Sequence, residues 1–372
     1  MAKDKQSINI DGSYGEGGGQ ILRTSLSLAC ITGKSFHIKN IRAARRNPGL
    51  AKQHLSCIEA ASKICKATAA GAYISSKELE FQPGTIEGGN YLFDVGSAGS
   101  ATLVAQTLLP ALFLADKPST ITIIGGTHNP MAPPFDFIEK TFLPAIAIAG
   151  FPAECKLTRY GFYPAGGGKI SFEIQPNPEG SSEQINLCHP GKEMQIKALV
   201  YTAHLPSDIA QRQRKLLLAS ILAQPNNNLR LTEPLNISSI ELIDVKDSNG
   251  PGNCVTIELF DNQSKRTTVF SAFGMRGKRS EEVINEVVSM TTNFLNSDAE
   301  VDYFLADQLL IYMAIRGSGQ FTTDRISAHL ETNIEIIKKF QPVKFRIESL
   351  GDKQRAKAYK VSCKQAKQSP NK

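Results

Sequence analysis

Gly15-Glu16-Gly17-Gly18-Gly19-Gln20-Ile21-Leu22-Arg23 is a glycine turn that runs straight into an apolar helix pattern, which continues through Cys30 and yields to a strand pattern from Ser35 to Ile41. The same grammar returns twice. Gly96-Ser97-Ala98-Gly99-Ser100 opens a helix to about Ala115 and leads to the strand Thr120 to Ile124. Phe304 to Ile315 is a third helix, followed by Gly317-Ser318-Gly319 and the strand Gln320 to Thr323. Each copy then adds a second helix: Pro48 to Lys66, Pro133 to Gly150 and Ser327 to Phe340. Prolines open the first two, and their fixed φ suits a first helical turn. Further strand patterns follow at Leu79 to Gln82, Lys169 to Ile174 and Val343 to Glu348. Such a unit buries only one face. Three copies therefore predict an α/β (α+β) fold in which repeated two-helix, four-stranded-sheet units form a pseudo-threefold large domain.

The third copy is interrupted. Glu193 to Tyr201 and Ser239 to Asp244 read as strands and Ser207 to Ala223 as a helix. Cys254 to Phe260 and Thr267 to Ala272 read as a hairpin around Asp261-Asn262-Gln263-Ser264. The expected layout is a large domain over 1–182 and 278–351, with a small α/β domain inserted at 183–277. The helix Ser280 to Leu295 is expected to return the chain to the large domain.

Composition narrows the function classes. The chain has 372 residues, 41% of them hydrophobic and 21% charged, which excludes disorder as a description of the whole. No apolar run reaches the roughly 18 to 20 residues that cross a bilayer, and the polar N-terminus shows no signal peptide. The expectation is a soluble, cytoplasmic protein with no membrane partner. Seven scattered cysteines, never spaced C-x-x-C, read as reduced thiols, and no zinc spacing occurs. Nothing in the sequence points to one oligomeric state.

Charge is concentrated in two places. Residues 352–372 carry seven Lys/Arg against one Asp, most of the net +7, and read as a basic, mobile tail. Between Gly17 and Ile58 there is no Asp or Glu, yet Arg23, Lys34, Lys39, Arg42, Arg45, Arg46 and Lys52 all occur. A run of one sign inside a fold points to a polyanion, either phosphates or nucleic acid. The glycine run at 15–19 has two readings, a tight turn or a backbone phosphate cradle, and it matches neither the P-loop nor the dinucleotide spacing. Glu16 within it is a candidate Mg²⁺ contact. His54 borders an apolar stripe, and on that alone a half-buried structural histidine is the favoured reading. His329, at the start of the third unit's second helix and near Arg325, is the candidate for exposure in a cleft. Spacing alone leads to a polyanion-binding α/β protein with a candidate histidine.

Beyond that point the chain resembles the RNA 3'-terminal phosphate cyclase family. The matching stretches are Asp11 to Arg23, Pro48-Gly49-Leu50 with Gln53-His54, Gly96 to Ser100, and Gly125-Gly126-Thr127-His128-Asn129-Pro130. Gly161 to Gly168, Leu305-Ala306-Asp307-Gln308-Leu309 and His329-Leu330 with Thr332-Asn333-Ile334 complete the set. The resemblance implies a ligase-type enzyme that uses ATP and Mg²⁺ or Mn²⁺ to convert an RNA 3'-phosphate end to a 2',3'-cyclic phosphate. It implies His329 as the nucleophile that takes AMP, with Arg23, Arg45 and His54 in the catalytic set and Glu16 at the metal. Gln106, Phe304, Leu305, Ala306, Asp307 and Gln308 would border ATP. Arg42, Gln53, Asn129 and Pro130 would face the phosphates or the RNA end. Where the family usually has Tyr or His, this chain has Phe304, preceded by Tyr303. The alternative in another functional class is a non-catalytic, cyclase-like RNA-binding protein of ribosome assembly.

Overall fold

Short strands with one apolar face separate the helices, and each pairs within its own unit. The computed structural model describes residues 7–177, 184–191, 193–222, 230–232, 237–351 and 358–366. The first unit is β1 (Ile8–Asp11), α1 (Gly19–Thr32), β2 (Phe36–Lys39), α2 (Lys52–Cys65), β3 (Thr68–Ala70) and β4 (Leu79–Gln82). Its sheet order is β1-β2-β4-β3, with β1 and β2 parallel and the other pairs antiparallel. The second unit is β5 (Asn90–Asp94), α3 (Ala101–Leu112), β6 (Ser119–Gly125), then α4 (Phe135–Phe137) running through a π-turn at Ile138–Phe142 into α5 (Leu143–Ala147), then β7 (Ala153–Arg159) and β8 (Gly168–Ile174). Its order, β5-β6-β8-β7, repeats the first in both neighbours and directions.

The third unit begins with β9 (Asn186–Leu187) and is then interrupted by β10 (Met194–Ala203), α6 (Ser207–Leu222), β11 (Ile240–Val245), β12 (Gly252–Asp261), β13 (Thr267–Phe273) and α7 (Ser280–Leu295). It resumes with α8 (Tyr303–Arg316), β14 (Ser318–Thr323), α9 (Ala328–Phe340), β15 (Val343–Leu350) and β16 (Ala358–Gln365). β9 lies parallel to β14, through Asn186 beside Gln320 and Leu187 beside Phe321. The expected insert boundary at 183 therefore moves: residues 186 and 187 belong to the third unit's sheet. The far boundary moves as well. Val283, Ile284, Val287 and Val288 on α7 are buried in the same apolar cluster as Leu217 on α6 and Phe270 on β13, so α7 covers the inserted sheet and does not return to the large domain.

The basic tail is the clearest correction. Of 352–372, residues 358–365 form β16, which sits between β15 and β14 and buries Ala358, Val361 and Cys363. Lys360 and Lys364 alternate with the buried Val361 and Cys363, so a charge count read one face and missed the other. The remainder of that segment, apart from Ala366, lies outside the described residues.

Helices α1, α2, α3, α8 and α9 pack on one another, and a single apolar core runs through all three units. Aromatic contacts close the seams: Phe36 lies against Phe81 and Phe340, while Tyr312 meets Phe113, Phe142 and Phe151. Each such pair adds about 0.5 to 1.5 kcal/mol beyond its buried area. The long apolar stretch at 101–115 is the buried helix α3 and its following turn, and among the described residues no helix is long and apolar enough to cross a membrane.

Two helices start later than the prolines suggested. α2 begins at Lys52 because Gly49 adopts φ +84° and keeps 48–51 extended. Met131, at φ +64°, holds the corresponding loop before α4. Ending the chain at Gly351 should strip the third sheet of an internal strand. The expected result is an insoluble product or a melting midpoint lowered by more than about 10 °C, read by circular dichroism; an unchanged midpoint would mean that β16 is dispensable.

Candidate active site

Three equivalent helices open the three units, and their N-termini are finished differently. Ser100 caps α3 by accepting the Leu103 N–H at 3.1 Å, and Asp302 caps α8 by accepting from Phe304 at 2.8 Å and Leu305 at 3.1 Å. At α1 the cap is Gly18, with no side-chain bond and no acidic residue in the first turn. A helix start whose amides meet no side chain attracts anions. The glycines before it are tightly placed. Gly15, at φ +56°, has its Cβ position 2.3 Å from the Thr332 Oγ1, and the same position on Gly19 lies 2.3 Å from the His54 Nε2 and 2.9 Å from the Arg23 Nη1. No larger residue fits at either place.

That open end leads into a cleft of about 610 Å³ between α1, α3 and α8 on one side and the inserted domain on the other. The predicted residues Arg23, Gln106, Pro130, Phe304, Asp307, Gln308 and His329 line it. The inserted domain contributes Phe273, Met275, Lys278 and Met290 to the facing wall. Leu305 and Ala306 do not face the cleft. They are 5% and 0% exposed and belong to the core, because α8 turns only part of its surface outward. Glu16, Arg42, Arg45 and His54 cluster around the glycine turn beside it.

His329 is held by a relay. Its Nδ1 donates to the Gln20 Oε1, and the Gln20 Nε2 donates to the Asp307 Oδ2 at 2.6 Å. With Nδ1 carrying the proton, Nε2 keeps a free lone pair on a ring that lines the cleft. Burial, then the charges of Arg23 and Arg45, lower the His329 pKa, so the ring is neutral at physiological pH. Burial pushes the Asp307 carboxyl up to about 7, against the Gln20 bond and the Arg23 charge. Gln20 was not among the predicted site residues. Only its place directly after the glycine run marked it.

His54 is the opposite case. Its Nδ1 accepts the Ala51 N–H at 3.1 Å, and burial, with Arg23 and Arg42 nearby, pushes its pKa down to about 3. The ring is therefore a neutral Nε2–H donor facing Gly19. Arg45 pairs with the Glu16 Oε1, while the Glu16 Oε2 is buried with no protein partner. Arg42 donates to the Gly49 carbonyl at 2.7 Å, which anchors the loop that carries Arg45.

Gln53 joins the first unit to the second, and Asn129 ties two loops within the second. The Gln53 Oε1 accepts the Ser100 N–H at 3.3 Å, and the Asn129 amide donates to the Ala98 carbonyl, leaving its Oδ1 buried and unpartnered. Gln106 donates to Gln308, whose amide returns to the Phe304 carbonyl at 2.7 Å. The Phe304 ring is 41% exposed and lies 4.0 Å from the Tyr303 ring, which Arg325 covers at 3.7 Å. The Tyr303 hydroxyl is turned to the Met290 Sδ at 3.7 Å, so it does not replace a hydroxyl at position 304. Two further carboxyls escaped prediction. Burial, together with the charge of Asp324, raises Asp302 to about 7, and burial raises Asp324 to about 6 against the pull of Arg325.

The arrangement offers a neutral imidazole nitrogen, two guanidinium groups, an uncapped helix start and one spare carboxylate oxygen. That set suits transfer of a phosphoryl group to nitrogen. The family profile described as RNA 3'-terminal phosphate cyclase matches residues 14–347. A protein of Koribacter versatilis (strain Ellin345) named RNA 3'-terminal phosphate cyclase is 46% identical over 345 residues, 93% of each chain.

A histidine-selective NMR titration checks the electrostatics. His329 should titrate with a midpoint below 6.5, and His54 should stay neutral down to about pH 3. Because the folded His54 pKa lies below its unfolded value, its contribution to stability is complete above about pH 6.5 and is lost as the pH falls from there toward 3, by at most about 1.4 kcal/mol per pH unit. The melting-point gap between the native protein and His54→Gln should therefore narrow on acidification from pH 6.5 to 4. A gap independent of pH would refute the buried neutral ring.

Proposed function

The chain belongs to the RNA 3'-terminal phosphate cyclase family, and from that premise we propose that it converts the 3'-phosphate end of an RNA to a 2',3'-cyclic phosphodiester at the expense of ATP. In the proposed sequence the His329 Nε2 attacks the α-phosphorus, the bond to pyrophosphate breaks, and AMP is held on the imidazole. A 3'-phosphate oxygen then takes the AMP, and the neighbouring 2'-hydroxyl attacks the activated phosphorus and expels it. Activation is necessary because a phosphate monoester dianion is a poor electrophile. A neutral imidazole suits the relay because it is both a good nucleophile and a good leaving group.

The observation that carries this reading is the Gln20 bridge between His329 and Asp307, which leaves the lone pair on the nitrogen in the cleft. As N–P bond formation places positive charge on the ring, Gln20 and the buried Asp307 stabilise it. Arg23 and Arg45 would hold the phosphate oxygens, with the α1 amides as further donors. Gln106, Gln308 and the Phe304 ring supply a polar edge and a flat face for the base of the nucleotide. Arg42 and His54 support the phosphate side, while the Asn129 Oδ1 is a spare acceptor beside Pro130 for the RNA end.

A divalent cation, Mg²⁺ or Mn²⁺, fits one position. The Glu16 Oε2 is the orphaned buried oxygen there, and a hard cation satisfied by one carboxylate, phosphate oxygens and water needs no protein cage. Such an ion would neutralise phosphate charge. The non-catalytic alternative draws no support from a site in which the histidine, its relay and both arginines are in place.

Intact mass after incubation with ATP and Mg²⁺, without RNA, tests the reading. Native protein should gain one AMP through an acid-labile, alkali-stable bond, and His329→Ala should gain none with its fold unchanged. Gln20→Leu should slow the gain about 10- to 100-fold, with the acid limb of its pH profile displaced. Undiminished labelling of His329→Ala would move the nucleophile elsewhere.

A further inference from the structure

The loop between β3 and β4 exposes two large apolar side chains, Tyr73 at 64% and Ile74 at 51%. Nothing in the packing of the first sheet calls for them. Yet the loop is firmly seated. Ser75 donates its N–H to the Leu50 carbonyl at 2.8 Å, Leu50 donates to Ser76 at 2.9 Å, and Ile41 donates to Lys77 at 3.0 Å. The Cβ position of Gly49 is 2.3 Å from the Ser75 carbonyl oxygen, so the two backbones touch where only glycine allows it. Loops 71–77 and 42–50 are thus a single ledge.

One end of that ledge is the candidate site, where Arg45 meets Glu16. From there Arg46, Asn47 and Pro48 are exposed, followed by Lys52, and Tyr73 and Lys77 complete the outer end. No carboxylate interrupts the chain from Gly17 to Ile58. The acidic groups begin at Tyr73: Glu78, which pairs with His37 at 3.2 Å, and Glu80 share with Tyr73 and Lys77 the lining of a shallow cavity of about 570 Å³, so Tyr73 stands at the border between the basic and acidic sides. A polyanion crossing the ledge is attracted on the Arg46 and Lys52 side and repelled at Glu78 and Glu80. An exposed tyrosine beside a lane of cations is the combination that binds single-stranded nucleic acid without reading its sequence, by stacking a base and neutralising phosphates.

We propose that the ledge formed by residues 42–50 and 71–77 carries the RNA strand upstream of its 3' end, with Tyr73 stacking a base and Arg46 holding the backbone. The proposal rests on the RNA reading of the neighbouring site and adds to it a defined path. It also gives the acid-free basic segment a use that the phosphate chemistry does not exhaust, since Arg46 and Lys52 take no part in that chemistry.

Direct binding tests it on the full-length protein without ATP. The probe is a fluorescent single-stranded RNA of about 12 nucleotides with a 3'-phosphate, and an unlabelled dinucleotide 3'-phosphate serves as competitor. Tyr73→Ala should weaken the long RNA about ten-fold and leave competition by the dinucleotide unchanged, while Tyr73→Phe should bind as the native protein does. Arg46→Ala should lower the slope of log Kd against log salt by about 0.7. An unaltered Kd in Tyr73→Ala, or an equal loss for the dinucleotide, overturns the path. AMP attachment without RNA is measured alongside. Its absence from native protein would sink the cyclase chemistry while Tyr73-dependent binding still upheld the path, and the reverse pattern would do the opposite.

Discussion

Helix α1 is held on three sides, by α2 of its own unit, α3 of the second and α9 of the third, and this confinement decides where the chemistry can occur. A helix packed that tightly cannot slide or turn, so the residues at its open end are fixed to within the tolerance of a protein core. Ser27 illustrates the constraint: its hydroxyl donates to the Thr107 carbonyl across the seam at 2.7 Å. Thr24 does the same toward Asn333, also at 2.7 Å. Gln20 and Arg23 lie on the same helix, one turn nearer its start. The geometry of His329, which belongs to α9, follows from that contact.

The second constraint is electrostatic. The Arg23 guanidinium, two imidazoles and the Asp307 carboxyl are largely buried together, with the exposed Arg45 at their edge, and they cannot all be charged. Arg23 keeps its charge because a guanidinium pKa lies too high for burial to remove it. Burial and the arginine charges therefore keep the two histidines neutral, and the bond each makes sets its tautomer: His54 accepts from a backbone amide, and His329 donates to Gln20. One ring is left with a free N–H and the other with a free lone pair. The same two arginines that suppress protonation of His329 supply the positive field in which phosphate oxygens would sit, so one set of charges serves both purposes.

The inserted domain repeats the sheet pattern of the units, a parallel pair around a helix followed by antiparallel strands, but builds its own core with α6 and α7. It is tied to the second unit through Tyr201 to Asp136 at 2.5 Å, Lys140 to Glu258 at 2.5 Å and Thr141 to the Thr267 carbonyl at 2.9 Å. Those ties close the cleft from one side and place Met275, Lys278 and Met290 opposite Phe304. An apolar wall facing a half-exposed ring gives a planar group somewhere to insert.

The sequence by itself determined the threefold repeat and the places of most helices, and it marked candidate residues within recognisable runs, because apolar period and glycine punctuation are local properties. Charge alone misled at the C-terminus, where the lysines of β16 hid an internal strand, and composition could not assign α7, since an amphipathic helix does not encode which sheet it covers. His54 and His329 were visible, but their protonation was not: that depends on burial and on arginines distant in sequence. Gln20 meets His329 only because α1 and α9 come together, some three hundred residues apart in sequence, and the ledge that joins Arg46 to Tyr73 likewise exists only in the fold. Periodicity is written in neighbouring residues. Tautomers, neutral histidines and shared ledges exist only where distant segments exclude water together.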